Sequence, residues 1–114
     1  MLTSRDIGRR GENAAINYLE NIGWKIICRN YRLGHKEIDL IGLCDNNLSL
    51  FEIKTRKKES RQIISQKQIK TLRQSHLEFC DRQGIRADKV GYALIIIYYS
   101  EKNEGKLYYY PEFL

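Results

Sequence analysis

Apolar positions change along this chain from a helical to an alternating spacing, which predicts an α/β architecture. Between Thr3 and Gly23, small and apolar residues follow the period of a helix, with Thr3 or Ser4 as its cap. Ser65 opens an S-x-x-Q capping box, so a second helix is predicted from there to about Arg82, followed by Gly84.

β-branched and aromatic runs between and after these helices predict five strands. The first covers 24–33, and simple alternation puts Ile26 and Cys28 on one face of it. A hairpin follows, with strands at 38–43 and 48–53 around a turn at 45–47. The last two strands lie at 88–99 and 106–110 around a turn at 101–105. The unbroken apolar run 93–97 indicates a strand that is covered on both faces.

Four charged residues interrupt the apolar hairpin. Glu37 and Asp39 lie two apart on its first strand, as Glu52 and Lys54 do on its second, so each pair is expected to share a face. Carboxylates crowded together are costly unless a cation neutralises them, and their hard oxygens suit Mg²⁺. A partly desolvated lysine beside such an ion can position or deprotonate a water molecule. The spacing therefore predicts a site for metal-assisted phosphodiester hydrolysis.

These residues stand within four short motifs. The motifs are Gly8-x-x-Gly11-Glu12-x-x-Ala15, Arg29-Asn30-Tyr31-Arg32, Glu37-Ile38-Asp39-Leu40-Ile41 and Phe51-Glu52-Ile53-Lys54-Thr55-Arg56. Asp39 followed by Glu52-x-Lys54 resembles the signature of the PD-(D/E)xK nucleases. All four motifs in this order resemble the YraN family, small bacterial proteins related to archaeal Holliday junction resolvases.

The resemblance implies a restriction-endonuclease-like fold, in which helices flank a central mixed sheet, over a single domain at 1–114. It also implies a catalytic set of Glu12, Asp39, Glu52 and Lys54. Asp39, Glu52 and the backbone carbonyl of Ile53 would hold Mg²⁺, with Mn²⁺ as an alternative. Lys54 would position the attacking water, and Glu12 would orient groups or bind metal. Glu37 replaces Asp39 if the hairpin register differs.

Length and composition limit the remaining choices. The chain has 114 residues, of which 42% are hydrophobic and 30% charged, as expected for one soluble globular domain. No apolar run approaches the roughly 20 residues of a membrane span. The start, MLTSRDIGRR, lacks the apolar centre of a signal peptide, so a cytoplasmic protein is expected. Cys28, Cys44 and Cys80 are widely spaced, which favours reduced thiols over a disulfide framework or a zinc site.

The net charge of +6 favours an anionic partner. We predict DNA as that partner, in structured or branched form, and the resemblance to resolvases is compatible with a homodimer that faces paired sites of a four-way junction. A solvated basic surface without a specific ligand is the alternative for the basic run after Lys54. The residues predicted to bind nucleic acid are Arg9, Arg10, Arg56, Lys57, Lys58, Lys67, Gln68 and Lys70.

Two other functions stay open at this stage. A nucleic-acid-binding accessory protein would keep the fold and the basic residues without turnover. A protein-interaction module would use the tyrosines at 98–99 and 108–110, which otherwise serve as a stacking surface or pack near the edge of the sheet. His76 falls on the apolar face of the second helix, so it is interpreted as a hydrogen-bonded core residue.

Overall fold

A computed structural model describes residues 3–57, 64–100 and 105–114, which form one five-stranded sheet with a helix packed on each face. The elements are α1 (Ser4–Asn21), β1 (Lys25–Leu33), β2 (Lys36–Cys44), β3 (Asn47–Lys57), α2 (Gln66–Gln83), β4 (Val90–Tyr99) and β5 (Lys106–Tyr110), with a short 3-10 helix at Ala87–Lys89. The α/β prediction of a mixed sheet flanked by helices is confirmed.

Both helices begin and end where the capping residues require. Thr3 caps α1 through a capping box with Asp6, and Ser65 caps α2 through one with Gln68. At the other ends, Gly23 and Gly84 adopt positive φ angles of 106° and 66°, which a side chain would oppose. The helix boundaries predicted from the sequence are therefore confirmed to within one or two residues.

The sheet follows chain order from β1 to β5, and its pairings are antiparallel except that β3 and β4 are parallel. Asp45 and Asn46 take positive φ angles in the tight turn between β2 and β3. The segment containing α2 returns the chain to the start of β4. Because β4 lies between β3 and β5 and is buried on both faces, the prediction drawn from its apolar run is correct.

Each face of the sheet packs against one helix. Ala15 and Leu19 of α1 cover Leu40, Phe51 and Ile95 on one face. On the opposite face, the core combines residues of α2 with residues from four strands: Leu72, Phe79 and Cys80 with Leu33, Ile38, Ile41, Leu50, Val90 and Tyr92. The two faces are named below after the helices that cover them.

The predicted alternation along β1 is wrong. Ile26 packs on the α1 face, whereas Cys28 packs on the α2 face. The pairing of β1 with β2 shifts register between these two residues, as a β-bulge does, so Cys28 takes the face opposite that of Ile26. Tyr31 and Leu33 lie on the α2 face, as regular alternation from Ile26 requires. Ile27, at the irregularity, is half exposed.

Other expectations concern single side chains. Nε2 of His76 lies 2.7 Å from the carbonyl oxygen of Val90, which confirms that it is a hydrogen-bonded core residue. Cys28, Cys44 and Cys80 are free thiols. No helix in the described part of the chain has the length and apolarity needed to cross a membrane. The predicted turn at 101–105 lies mostly outside the described residues.

Candidate active site

The hairpin strands part at the position of the predicted site. The ladder between β2 and β3 runs from the turn to the pair Leu40 and Phe51, and no strand pairing continues past it. Asp39 Oδ2 instead accepts a hydrogen bond of 2.8 Å from the backbone N–H of Ile53. One carboxylate oxygen thus replaces a strand partner and is held at the fork between the two strands.

Glu52 and Lys54 complete the group of charges at this fork. Lys54 Nζ lies 3.0 Å from Glu52 Oε1, and the two side chains are only 20% and 10% exposed. Both belong to the same stretch of β3, so alternation places them on one face, as predicted. The structure therefore brings Asp39, Glu52 and Lys54 together.

Burial and a like charge control the protonation of Asp39. Desolvation is the larger cause and the Glu52 carboxylate the second, and together they raise the pKa of Asp39 to about 7. The Ile53 N–H and the Lys54 ammonium act in the opposite direction. A carboxyl group rarely keeps its proton up to neutral pH, and groups whose pKa values are shifted this far concentrate at functional sites.

Glu12 reaches the same region from α1. Its carboxylate Oε1 accepts a hydrogen bond of 3.0 Å from Arg29 Nε and forms an ion pair with the same guanidinium, at 2.9 Å from the terminal nitrogen Nη2. The side chain is 22% exposed and lines a cavity together with Asp39 and Lys54. Glu12 therefore faces the site while its charge is neutralised by a strand residue.

Two cavities open on opposite sides of the fork, and Lys54 lines both. The first has a volume of about 400 Å³ and is lined by Ser4, Ile7, Gly8, Glu12, Asp39, Ile53, Lys54, Thr55, Arg56 and Tyr99. The second has a volume of about 310 Å³ and is lined by His35, Lys36, Glu37, Glu52, Lys54, Ile64, Lys67, Gln68, Thr71, Leu72 and Ser75.

Glu37 and Asp39 do not share a cavity, contrary to the expectation from alternation. Ile38 packs on the α2 face and Leu40 on the α1 face although they are two residues apart, so β2 departs from regular alternation at Asp39. As a result, Asp39 lines the first cavity, whereas Glu37 lines the second beside Glu52.

The predicted nucleic-acid-binding residues are spread around the two cavities. Arg56 lines the first and also donates a hydrogen bond to the carbonyl of Thr55. Lys67 and Gln68 line the second, and Gln68 closes the capping box of α2. The exposed members of the set are Arg9, Arg10, Lys57, Lys67 and Lys70. Lys58 lies outside the described residues.

The donors present fit a Mg²⁺ ion held mainly by two carboxylates. Within 3–57, 64–100 and 105–114, no three side chains of His, Cys, Asp or Glu converge as a metal cage would require. Mg²⁺ is nevertheless commonly bound by one or two carboxylates together with waters and substrate phosphate. Asp39 and Glu52, whose mutual repulsion raises the pKa of Asp39, are such a pair.

Sequence reasoning missed two participants near the site. Arg29 was seen as part of a motif, but its pairing with Glu12 depends on how α1 crosses β1. Tyr92 is 1% exposed, and its hydroxyl is a buried polar atom that has no hydrogen-bond partner in the part of the chain described. Burial raises the pKa of Tyr92, and the nearby charges of Glu52 and Asp39 raise it further.

Comparison of the sequence with known protein families identifies a family for this chain. Residues 11–92 match the profile of Uncharacterised protein family UPF0102, a segment that contains Glu12, Asp39, Glu52 and Lys54. The chain belongs to UPF0102. This membership confirms the resemblance that the four motifs carry.

UPF0102 proteins from several bacteria are similar to this chain. One from Chlorobium chlorochromatii is 35% identical over 94 residues, which are 75% of this chain and 73% of that protein. One from Bacteroides thetaiotaomicron is 45% identical over 56 residues. That match covers 49% of this chain and only 46% of the Bacteroides protein.

Solved structures with a similar fold include a repair endonuclease and a protein–dsDNA complex. A repair endonuclease from Pyrococcus abyssi superposes with a TM-score of 0.55 at 20% identity, over 89% of this chain and 41% of that one. The EndoMS–dsDNA2 complex gives a TM-score of 0.51 at 21% identity, over 71% and 33% of the two chains. At this level of identity the likeness establishes an endonuclease-like fold for the UPF0102 chain.

Proposed function

We propose that this protein is a metal-dependent endonuclease that hydrolyses phosphodiesters of structured or branched DNA. The observation that carries the proposal is the fork between β2 and β3, where the Asp39 and Glu52 carboxylates lie together beside Lys54. The fold shared with a repair endonuclease supports the same reading, as does the presence of all three residues in the matched family segment.

Each residue has a role that follows from its position. Asp39, Glu52 and the carbonyl of Ile53 would hold Mg²⁺ or Mn²⁺, which when bound supplies Lewis acidity to the phosphate and acidity to a coordinated water. Lys54, which pairs with Glu52 in the described structure, would orient the attacking water. The water oxygen bonds to phosphorus as one P–O ester bond breaks, its proton passes to solvent, and the departing oxygen gains a proton from solvent.

The test compares cleavage of labelled duplex, single-stranded and four-way-junction DNA with Mg²⁺, Mn²⁺ or EDTA. We expect Glu52→Gln to lower the metal-dependent rate at least about 100-fold, because several kcal/mol of transition-state stabilisation depend on the ion that Glu52 holds. Glu20→Gln makes the same charge change on the exposed surface of α1 and serves as the matched control, with an unchanged rate.

A second candidate, a nucleic-acid-binding accessory protein without turnover, has one observation in its favour. In the described structure Glu52 is paired with Lys54 and Glu12 with Arg29, so two of the acids are already neutralised without a metal ion. Binding of DNA without cutting under every metal would support this candidate and overturn the nuclease.

We also propose that the protein binds a four-way junction as a homodimer. Light scattering with and without the junction tests this oligomeric state.

A further inference from the structure

The first cavity extends beyond the groups that the proposed hydrolysis uses. Asp39 and Lys54 account for one part of its lining. Another part comes from the first turns of α1 and the end of β4, and it consists of Ser4, Ile7, Gly8 and Tyr99. The volume of about 400 Å³ falls within the range of small-ligand sites, and it exceeds the need of a phosphate alone.

Two residues of this second part offer surfaces that suit neither a phosphate nor a cation. Ile7 and Tyr99 offer an aliphatic and an aromatic surface, and neither carries a charge. Such pairs of surfaces suit the flat face of a nucleobase, which stacks on aromatic and apolar side chains. Ser4 and Glu12 add polar atoms to the same lining, and these suit the hydrogen-bonding edge of a base.

Gly8 keeps this part of the cavity open. A Cβ atom at Gly8 would meet no atom within 4 Å, so the absent side chain leaves free space rather than permitting a close contact. The same helix contains Gly11, where a Cβ would collide with Thr55. Packing therefore accounts for Gly11, whereas it does not account for Gly8.

We propose that the first cavity binds the base of an unpaired nucleotide next to the phosphate held at Asp39 and Lys54. The inference rests on the proposed function and narrows its substrate to DNA that has an unpaired base beside the cut. A base inside a duplex must leave its stack before it can enter a side cavity, whereas a bulge, a loop or a branch point supplies one already free.

The test measures affinity by fluorescence anisotropy for three DNAs, with EDTA and separately with Ca²⁺. They are a perfect duplex, the same duplex with one unpaired nucleotide, and that bulged duplex with an abasic unit in place of the unpaired nucleotide. We expect the bulged DNA to bind about tenfold more tightly than the other two, since stacking of one base supplies that much affinity. The abasic DNA keeps the bend of the bulge without its base.

Two variants at Gly8 locate the effect in the cavity. Gly8→Leu fills the free space and is expected to abolish the preference for the base-containing bulge, with unchanged affinity for the abasic DNA. Gly8→Ala raises helix propensity about as much as Gly8→Leu does but adds only a methyl group, so it is expected to keep the preference. Thermal unfolding of both variants verifies the fold, and the comparison of bulged with abasic DNA on the unaltered chain needs no variant.

The outcomes separate this inference from the function beneath it. Equal affinity for the base-containing and abasic bulges, or an undiminished preference in a folded Gly8→Leu variant, would overturn the base site even if the protein cuts DNA. A preference that depends on the base, in a protein that cuts nothing, would support the cavity and overturn the nuclease. No affinity for any of the three DNAs would overturn both.

Discussion

At the scale of single residues, two buried polar groups are placed where stability alone would not put them. Asp39 is largely buried beside a second carboxylate, and Tyr92 buries a hydroxyl that no described group pairs with. Each costs the fold free energy, because burying a charge or an unpaired polar atom is unfavourable. Stability lost at such positions is characteristic of functional sites.

The first prediction concerns Asp39 and pH. Its pKa is about 7 in the folded protein and 3.8 ordinarily, so the folded state binds more protons between these values and the free energy of unfolding falls as pH rises through this range. The side chain in Asp39→Asn carries no charge at any pH, and its amide oxygen can still accept the hydrogen bond from the Ile53 N–H. In urea unfolding at pH 8 with EDTA, we expect the free energy of unfolding of the variant to be about 2–4 kcal/mol higher than that of the wild type.

Near pH 4 the difference between Asp39→Asn and the wild type should largely disappear. A difference that does not vary with pH would contradict the raised pKa. Added Mg²⁺ should stabilise the wild type above pH 7 and leave Asp39→Asn little changed, since the ion replaces the proton only where the carboxylate is present.

The second prediction concerns Tyr92. Tyr92→Phe removes the unpaired hydroxyl and keeps the ring, so we expect the free energy of unfolding to rise by about 1 kcal/mol, seen as a higher Tm. Tyr31→Phe is the matched control, because Gln83 Nε2 donates a hydrogen bond of 3.3 Å to the Tyr31 hydroxyl, so removal of that hydroxyl should not raise stability. A loss of stability in Tyr92→Phe would show that its hydroxyl has a partner.

At the scale of elements, the position of α1 depends on a glycine contact with β3. A Cβ at Gly11 would collide with the Thr55 hydroxyl, and Ile97 lies just beyond at 3.5 Å. Thr55 is two residues past Ile53 on the strand that carries Glu52 and Lys54. The closeness of helix and strand at this point therefore places Glu12, the next residue of α1, beside the site.

The third prediction uses the two glycines of α1 as a pair. Gly11→Ala should lower the free energy of unfolding by about 1–3 kcal/mol, since the Thr55 side chain or the helix must shift to admit the added methyl group. Gly8→Ala, in open space on the same helix, should raise it by about 0.5–1 kcal/mol. Chemical denaturation of both variants measures the contrast, and equal effects at the two positions would contradict the packing contact.

The sequence was sufficient to predict helices and turns whose boundaries are marked by local residues. It was insufficient where the structure depends on contacts with other elements. Capping boxes at Thr3 and Ser65 and positive-φ residues at the hairpin turn mark boundaries locally. The register shift in β1 has no such mark, because a bulge is recognised only against the partner strand. The unpaired state of Tyr92 likewise depends on the groups that surround its hydroxyl.

For the site, spacing was enough to single out Asp39, Glu52 and Lys54 and not enough to orient them. The hydrogen bond from Ile53 to Asp39 arises because β2 and β3 separate there, and nothing in the spacing of the acids determines where a ladder stops. The separation of Glu37 from Asp39 has the same origin. Partners from other elements, such as Arg29 on Glu12, require the tertiary arrangement.

At the scale of the whole molecule, the net charge of +6 is expected to make DNA binding weaken steeply as the salt concentration rises. Our fourth prediction is that Lys57→Gln and Lys67→Gln each reduce the log–log salt slope by about 0.9 on duplex DNA if each side chain contacts one phosphate. Lys25→Gln, an exposed charge at the start of β1, is the control. Gel shifts at several salt concentrations measure the slopes, and three equal slopes would place the contacts elsewhere.

The order of the strands also bears on how the chain reaches this structure. The three strands β1 to β3 form a meander whose contacts lie close in sequence, whereas the paired residues of β3 and β4 are 42 positions apart, as Leu48 and Val90 are. Local contacts close at little entropic cost and form early, while distant pairings form late. The segment of β3 that carries Glu52 and Lys54 has no partner in β2 and pairs only with β4, so the groups proposed for chemistry are expected to come together fully only when this late pairing forms.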